Sequence, residues 1–183
     1  MEGSFEEFPV IDCGDIILRR FRMEDAEDLA RNINHRGISR YTLNIPYPYG
    51  PDDAIEFMAK NKDWYDAESD LNLAICKKED DRVIGGIGLM KIEWQNKASE
   101  IGYWLGREHW GRGITPKAVR GMVKYGFKEL GLHRISSVIF SPNKRSRRVM
   151  EKSGFEIEGI LKDRYILEDE YVDGVMYAIL DKD

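Results

Sequence analysis

Cysteine is nearly absent. Cys13 and Cys76 are the only two in 183 residues, far apart and without a Cys-x-x-Cys or histidine pairing, so neither a zinc site nor a disulfide framework is indicated. Histidine is as sparse: His35, His109 and His133 lack metal-ligand spacing, and no metal is expected. No apolar run approaches the ~20 residues that cross a bilayer as a helix. The acidic start, Met-Glu-Gly-Ser-Phe-Glu-Glu, lacks the positive flank and apolar centre of a signal peptide, so a cytoplasmic chain without a membrane partner is expected. Internal repeats and low-complexity segments are missing too. A net charge of −5 argues against general nucleic-acid binding, while leaving room for a local basic patch that holds one phosphorylated ligand.

What is present suits one domain with a real core. Hydrophobic residues make up 42 % of the chain and charged residues 33 %, an ordinary globular balance. The expected arrangement is a single domain over 1–183, with 1–14 as an N-terminal extension and a core of about 15–181. A strand over Ile16 to Arg20 leads to a helix from Met23 to about Asn34, whose first turn carries Glu24 and Asp25 where they suit the dipole. Tyr41 to Pro51 reads as an ordered loop rich in proline and tyrosine, either lining a site or merely structural, before a helix from Asp52 to about Tyr65. Leu71 to Lys77, Val83 to Trp94 and Lys97 to Leu105 form an expected antiparallel meander. A helix from Pro116 to Glu129 crosses over to a strand at Arg134 to Phe140, which implies parallel pairing. Lys144 to Lys152 reads as a helix capped by Asn143 and stopped by Gly154, and strands at Phe155 to Tyr165 and Glu170 to Leu180 close the chain. The fold class is α+β, with one mixed, mostly antiparallel central sheet flanked by helices.

The most informative stretch lies between Leu105 and Ala118, Leu-Gly-Arg-Glu-His-Trp-Gly-Arg-Gly-Ile-Thr-Pro-Lys-Ala. A strand rich in β-formers enters it. Thr115 is expected as the N-cap of the next helix, with Pro116 at the first helical position. Gly111 and Gly113 permit positive φ and keep side chains off the backbone, so several N–H groups can converge on one anion with the helix dipole behind them. From Arg107 to Lys128 there are six basic residues against one acid, Glu108. A plain tight turn and a solvated basic face are the simpler alternatives. A dinucleotide-binding Rossmann turn is disfavoured, because no Gly-x-Gly-x-x-Gly is present and antiparallel strands precede the turn.

Three segments, Glu100-Ile-Gly-Tyr-Trp-Leu105, Trp110-Gly-Arg-Gly113 and Ser141-Pro-Asn-Lys-Arg-Ser-Arg-Arg-Val-Met-Glu-Lys-Ser-Gly-Phe155, resemble the GCN5-related N-acetyltransferases (GNAT). More narrowly, the chain resembles the branch that acetylates the N-terminus of ribosomal proteins, over about Ile16 to Leu180. The resemblance implies an acetyl-CoA site. Trp110 and the amides of Gly111, Arg112 and Gly113, extended by Ile114 and Thr115, would cradle the pyrophosphate. The strand would splay near Tyr103, Trp104 and Leu105 to pair with the pantetheine arm. Asn143 would aim its amide at the pantetheine or thiol, and the basic run Lys144, Arg145, Arg147 and Arg148 would sit near the 3′-phosphate. The chain departs from the family pattern at Glu108, where Gln or Arg is preferred, and at Pro116, commonly Thr. Met150 stands where many members place a tyrosine acid, which excludes a tyrosine acid from that position.

Acetyl transfer needs a neutral amine, a polarised thioester and a proton for the departing thiolate. Glu100 is the candidate base, directly or through water, against the plainer reading of an exposed strand carboxylate. Ser146, one helical turn beyond Asn143, is the candidate hydrogen-bond donor to the sulfur, against a purely capping or packing role. No sequence cue supports an acyl-enzyme. The expected acceptor is the α-amine of a protein or peptide, of ribosomal-protein type. Alternatives are a polyamine or amino-bearing antibiotic, and a non-catalytic acyl-CoA-binding module. The sequence leaves a homodimer open.

Overall fold

The computed structural model describes residues 5, 7–42 and 45–182. Leu43 and Asn44 of the expected Tyr41 to Pro51 loop, and most of the first six residues of the expected N-terminal extension, lie outside the described residues. Eight strands, β1 (Ile11–Asp12), β2 (Ile16–Arg19), β3 (Leu71–Lys77), β4 (Val83–Glu93), β5 (Ala98–Leu105), β6 (Arg134–Phe140), β7 (Glu156–Leu167) and β8 (Glu170–Leu180), form one sheet in the order β1-β2-β3-β4-β5-β6-β8-β7. The helices are α1 (Ala26–Ile33), α2 (Arg36–Ser39), α3 (Pro51–Asp66), α4 (Ile114–Lys128) and α5 (Lys144–Lys152), with 3₁₀ turns at Met23–Asp25 and Arg107–His109. Among the described residues, no helix is long and apolar enough to cross a membrane.

Side-chain alternation along β3 places its residues in two cores. Leu71, Leu73 and Ile75 join a core with Ala118, Val119 and Met122 of α4. Ala74 and Cys76 join the opposite one, with Leu29, Ala30 and Ile33 of α1 and Ala54 and Met58 of α3. A strand covered on both faces reads as a continuous apolar run, and Leu71–Lys77 does so. The expected meander forms, with Leu73 opposite Ile87 and Ile87 opposite Tyr103. The crossover through α4 gives the expected parallel pair, β5 with β6.

That parallel pair is short. Ala98, Ser99 and Glu100 face Arg134, Ile135 and Ser136, and no pairing continues beyond Glu100. β5 stays on β4 as far as Leu105, while β6 stays on β8 as far as Phe140. The two neighbours therefore separate into a wedge whose β5 edge, from Ile101 to Leu105, has no strand partner on that side among the described residues.

The start of α4 differs from the expected one. The helix begins at Ile114 and its N-cap is Gly113, at φ +74°, so Thr115 and Pro116 lie inside the first turn. The left-handed glycine turns the chain directly into the helix, without a hydroxyl cap. Pro116 is tolerated there because first-turn N–H groups have no intrahelical acceptor. Two short elements, β1 and α2, were not anticipated, being two and four residues long.

Candidate active site

The turn after β5 is closed by Trp110, whose indole Nε1–H donates to the Leu105 carbonyl at 2.7 Å. Gly111 and Gly113 both have positive φ, +77° and +74°, and a Cβ built on either meets nothing within 4 Å. The space before these amides is open, and among the described residues no protein group accepts a hydrogen bond from the N–H of Gly111, Arg112, Gly113, Ile114 or Thr115. Unpartnered donors at the positive end of a 15-residue helix form an anion cradle. The cradle fits a diphosphate on its own chemistry. The guanidinium of Arg145 lies 4.5 Å from the Trp110 ring, which sets a cation beside it.

A continuous cleft of about 1670 Å³ runs from this turn through the wedge. Around the cradle it is lined by Trp110, Thr115, Asn143, Lys144, Arg145 and Arg148. Beyond the wedge, its walls are Tyr41, Tyr49, Phe57, Trp64, Trp104 and Tyr165, with the carboxylates of Asp53, Glu56, Asp70 and Glu100. Tyr165 reaches this wall from β7 by stacking on Phe140 at 4.2 Å. The loop ahead of α3 thus contributes Tyr41 and Tyr49 to the cleft, whereas Tyr47 is exposed under Arg36.

Most of the sequence-derived candidates converge here. Tyr103, Trp104, Leu105, Gly111, Gly113, Ile114, Asn143 and Ser146 line the cleft with Glu100. Asn143 caps α5, its Oδ1 accepting from the Ser146 N–H at 3.2 Å, so only its amide Nδ2 is left to reach a ligand. Arg112 is exposed and is absent from the cleft walls, so only its backbone N–H, between Gly111 and Gly113, belongs to the cradle. Arg147 turns the other way: its Nε donates to the Tyr177 hydroxyl at 3.4 Å, and it is absent from the cleft walls. The physical reason is helical spacing, since Arg147 lies 200° around α5 from Arg145, which occupies the position beside the cradle.

Glu100 sits at the crotch of the wedge, where the strands part. Both its carboxylate oxygens accept from Lys91 Nζ at 3.0 Å, and its side chain is 47 % exposed. Lys91 arrives opposite because of a bulge between Met90 and Glu93, where Lys91 itself has φ +51°. Simple alternation did not reveal this pair. Met150 is fully buried in the core and offers no hydroxyl to the site. Instead the Tyr103 hydroxyl reaches from β5 to within 2.7 Å of Ser146 Oγ and 3.2 Å of the Ser146 carbonyl. Burial drives the Tyr103 phenol well above its ordinary pKa, with Tyr177 adding to the rise and the Ser146 hydrogen bond opposing it. His109, beside the cradle, is pushed below its ordinary value by burial and by the charges of Lys77 and Arg112.

Comparison with known proteins agrees with this geometry. Residues 15–156 match the acetyltransferase (GNAT) domain family. The chain is 30 % identical over 175 residues to an uncharacterized N-acetyltransferase, p20, of Bacillus licheniformis, covering 92 % of this chain and 94 % of that one. It is 36 % identical over 100 residues to the ribosomal-protein-serine acetyltransferase of Escherichia coli, or 55 % of this chain and 56 % of the relative. Among solved structures, the microcin C7 self-immunity acetyltransferase MccE, crystallised with acetyl-CoA and AMP, superposes with a TM-score of 0.81 at 26 % identity, over 91 % of this chain and 93 % of that one. With an anion cradle at the start of α4, a sheet parted beside it and a family match over most of its length, the chain belongs to the GNAT family and is an acetyl-CoA-dependent N-acetyltransferase.

Proposed function

We propose that the chain acetylates the α-amine of a protein or peptide N-terminus, of the ribosomal-protein type. The observation that carries this reading is the lining of the acceptor half of the cleft. Its far half is walled by aromatic rings and carboxylates and opens beyond the wedge. That shape suits an extended cationic acceptor whose first residues lie along Tyr41, Tyr49 and Tyr165. The ribosomal-protein-serine acetyltransferase relative supports the same class.

Acetyl-CoA supplies an activated acetyl thioester. The amides from Gly111 to Thr115 and the Arg145 guanidinium hold its phosphates, and the unpaired β5 edge holds the extended arm within the wedge. Glu100 accepts a proton from the acceptor ammonium once Lys91, 72 % exposed, swings clear, leaving a neutral amine. Ser146 Oγ–H faces the departing sulfur. Nothing in this scheme needs an acyl-enzyme: Cys76 is buried, and burial pushes its thiol up to about 12, while Cys13 donates to the Ile11 carbonyl and is absent from the cleft walls. The reading takes residues 1–183 as one domain acting in the cytoplasm.

The test is thiol release from acetyl-CoA against N-terminal peptides, spermidine and aminoglycosides. Turnover on peptides is expected. Turnover on spermidine or aminoglycosides alone would replace this reading with the small-amine one, and saturable acetyl-CoA binding without turnover on any acceptor would favour a binding module.

A further inference from the structure

With Met150 buried in the core, the wedge has no hydroxyl from that turn of α5, yet one tyrosine reaches the site by another route. Tyr103 comes from β5, on the opposite side of the wedge from α5, and its hydroxyl meets Ser146 Oγ at 2.7 Å. A serine hydroxyl is a far weaker acid than a thiol. Ser146 alone would be left as an alkoxide if it gave its proton to a thiolate, so a serine in this role needs a second donor behind it. The Tyr103 phenol has one proton and two acceptors within reach, Ser146 Oγ and the Ser146 carbonyl at 3.2 Å. When it donates to the carbonyl, Ser146 turns its own proton back to the phenol; when it donates to Oγ, the serine proton is free to point into the cleft.

We propose that Tyr103 is a positioning residue that acts through Ser146, aiming the serine proton at the leaving sulfur and replacing it as it departs. The proposal rests on the acetyltransfer reading above and deepens it. As the carbon–sulfur bond breaks, its electron pair stays on sulfur. Ser146 Oγ gives its proton to that pair, and the O–H bond broken at Ser146 is remade with the Tyr103 proton. The phenolate is reprotonated by the second proton, which the acceptor nitrogen sheds through water in the cleft as the amide forms, while the first, taken from the ammonium by Glu100, leaves to solvent as the one net proton released. Burial favours the protonated phenol, so Tyr103 is loaded across the working pH range and its phenolate is short-lived.

The experiment compares Tyr103→Phe and Ser146→Ala with the parent enzyme in three measurements. Tyr103→Phe keeps the ring and removes only the hydroxyl, and thermal melting checks that each variant is folded. First, kcat is expected to fall about ten- to a hundredfold in Tyr103→Phe while the CoA dissociation constant moves less than about threefold. Second, the ionisation of the bound CoA thiol, followed by its ultraviolet thiolate absorbance, is expected to move to higher pH in both variants, because Ser146→Ala removes the donor to sulfur and Tyr103→Phe removes the hydroxyl that aims it. Third, the double variant is expected to be no slower than Ser146→Ala, since both residues act along one path. A collapse in Ser146→Ala with a Tyr103→Phe that matches the parent in rate and thiol ionisation would overturn the role of Tyr103 and leave the acetyltransfer reading standing. If Ser146→Ala also matched the parent in both, the serine path itself would be overturned. A Tyr103→Phe defect confined to CoA affinity or melting temperature would mark the hydrogen bond as a structural tie across the wedge, and would likewise overturn the proposal.

Discussion

Glu100 and Gly113 show how much turns on single positions. Glu100→Gln keeps the shape and a hydrogen bond to Lys91 but removes the site that takes up a proton. It is expected to lower kcat about a hundredfold with acetyl-CoA affinity unchanged, checked by steady-state rates beside calorimetric binding. Gly113→Ala meets no atom within 4 Å, so its cost is conformational. A left-handed backbone costs an L-residue about 1–2 kcal/mol, and the new methyl stands before the amides of the cradle. About a tenfold loss of CoA affinity is expected in a calorimetric titration, together with a lower melting temperature.

Elements carry the next level of argument, and α5 is the clearest. Its N-cap hydrogen bond from Asn143 joins helix stability to the site, and Asn143→Ala is expected to cost about 1 kcal/mol in denaturant unfolding. The two arginines on α5 should separate cleanly: Arg145→Ala weakens CoA binding, whereas Arg147→Ala, whose side chain is spent on Tyr177, leaves it within about twofold. Titrating both variants with CoA would check this. Alternation and caps made the order of elements legible: β3 and β8 have the expected ends, as do β6 and α5, which Pro142, Asn143 and Gly154 punctuate locally. The glycine turn was legible for the same reason. What eluded sequence reasoning depends on distance or on small backbone shifts. The bulge that sets Lys91 on Glu100, the reach of Tyr103 to Ser146 and the choice of Arg145 over Arg147 follow from packing between elements remote in sequence. The N-cap of α4 was placed two residues late, since a left-handed glycine can start a helix that a threonine would otherwise cap.

On the scale of the whole molecule, one ion-pair network ties β2 to the turn after β3. The Arg19 guanidinium is buried, bonded to both oxygens of Asp25 at 2.8 and 3.0 Å and to Asp81 at 2.7 Å. Asp25→Ala takes away the buried partner and leaves Arg19 only the half-exposed Asp81, so it is expected to cost about 3 kcal/mol, read as a melting temperature lower by about 10 °C. Acid weakens the same region. Burial raises the Asp81 carboxyl, but Arg19 and Arg22 more than offset it and hold it below its ordinary value; Asp28 is likewise lowered, first by Arg82. Both groups take up protons more readily unfolded than folded. Their stabilisation is therefore complete above the ordinary carboxylate range and fades as pH falls through their lower folded values, which melts recorded between about pH 6 and pH 3 would show. The parting of β5 from β6 after Glu100 has a mechanical corollary. Among the described residues, three residue pairs at one end, with the Lys97 carbonyl accepting from His133 and Arg134 beside them, make up the strand seam between a five-strand block, β1 to β5, and a three-strand block, β6 to β8. Such a seam acts as a hinge line along which the blocks can breathe apart, exchanging their amide hydrogens as two cooperative units. A coenzyme lying in the wedge would serve as the rib that fuses them into one.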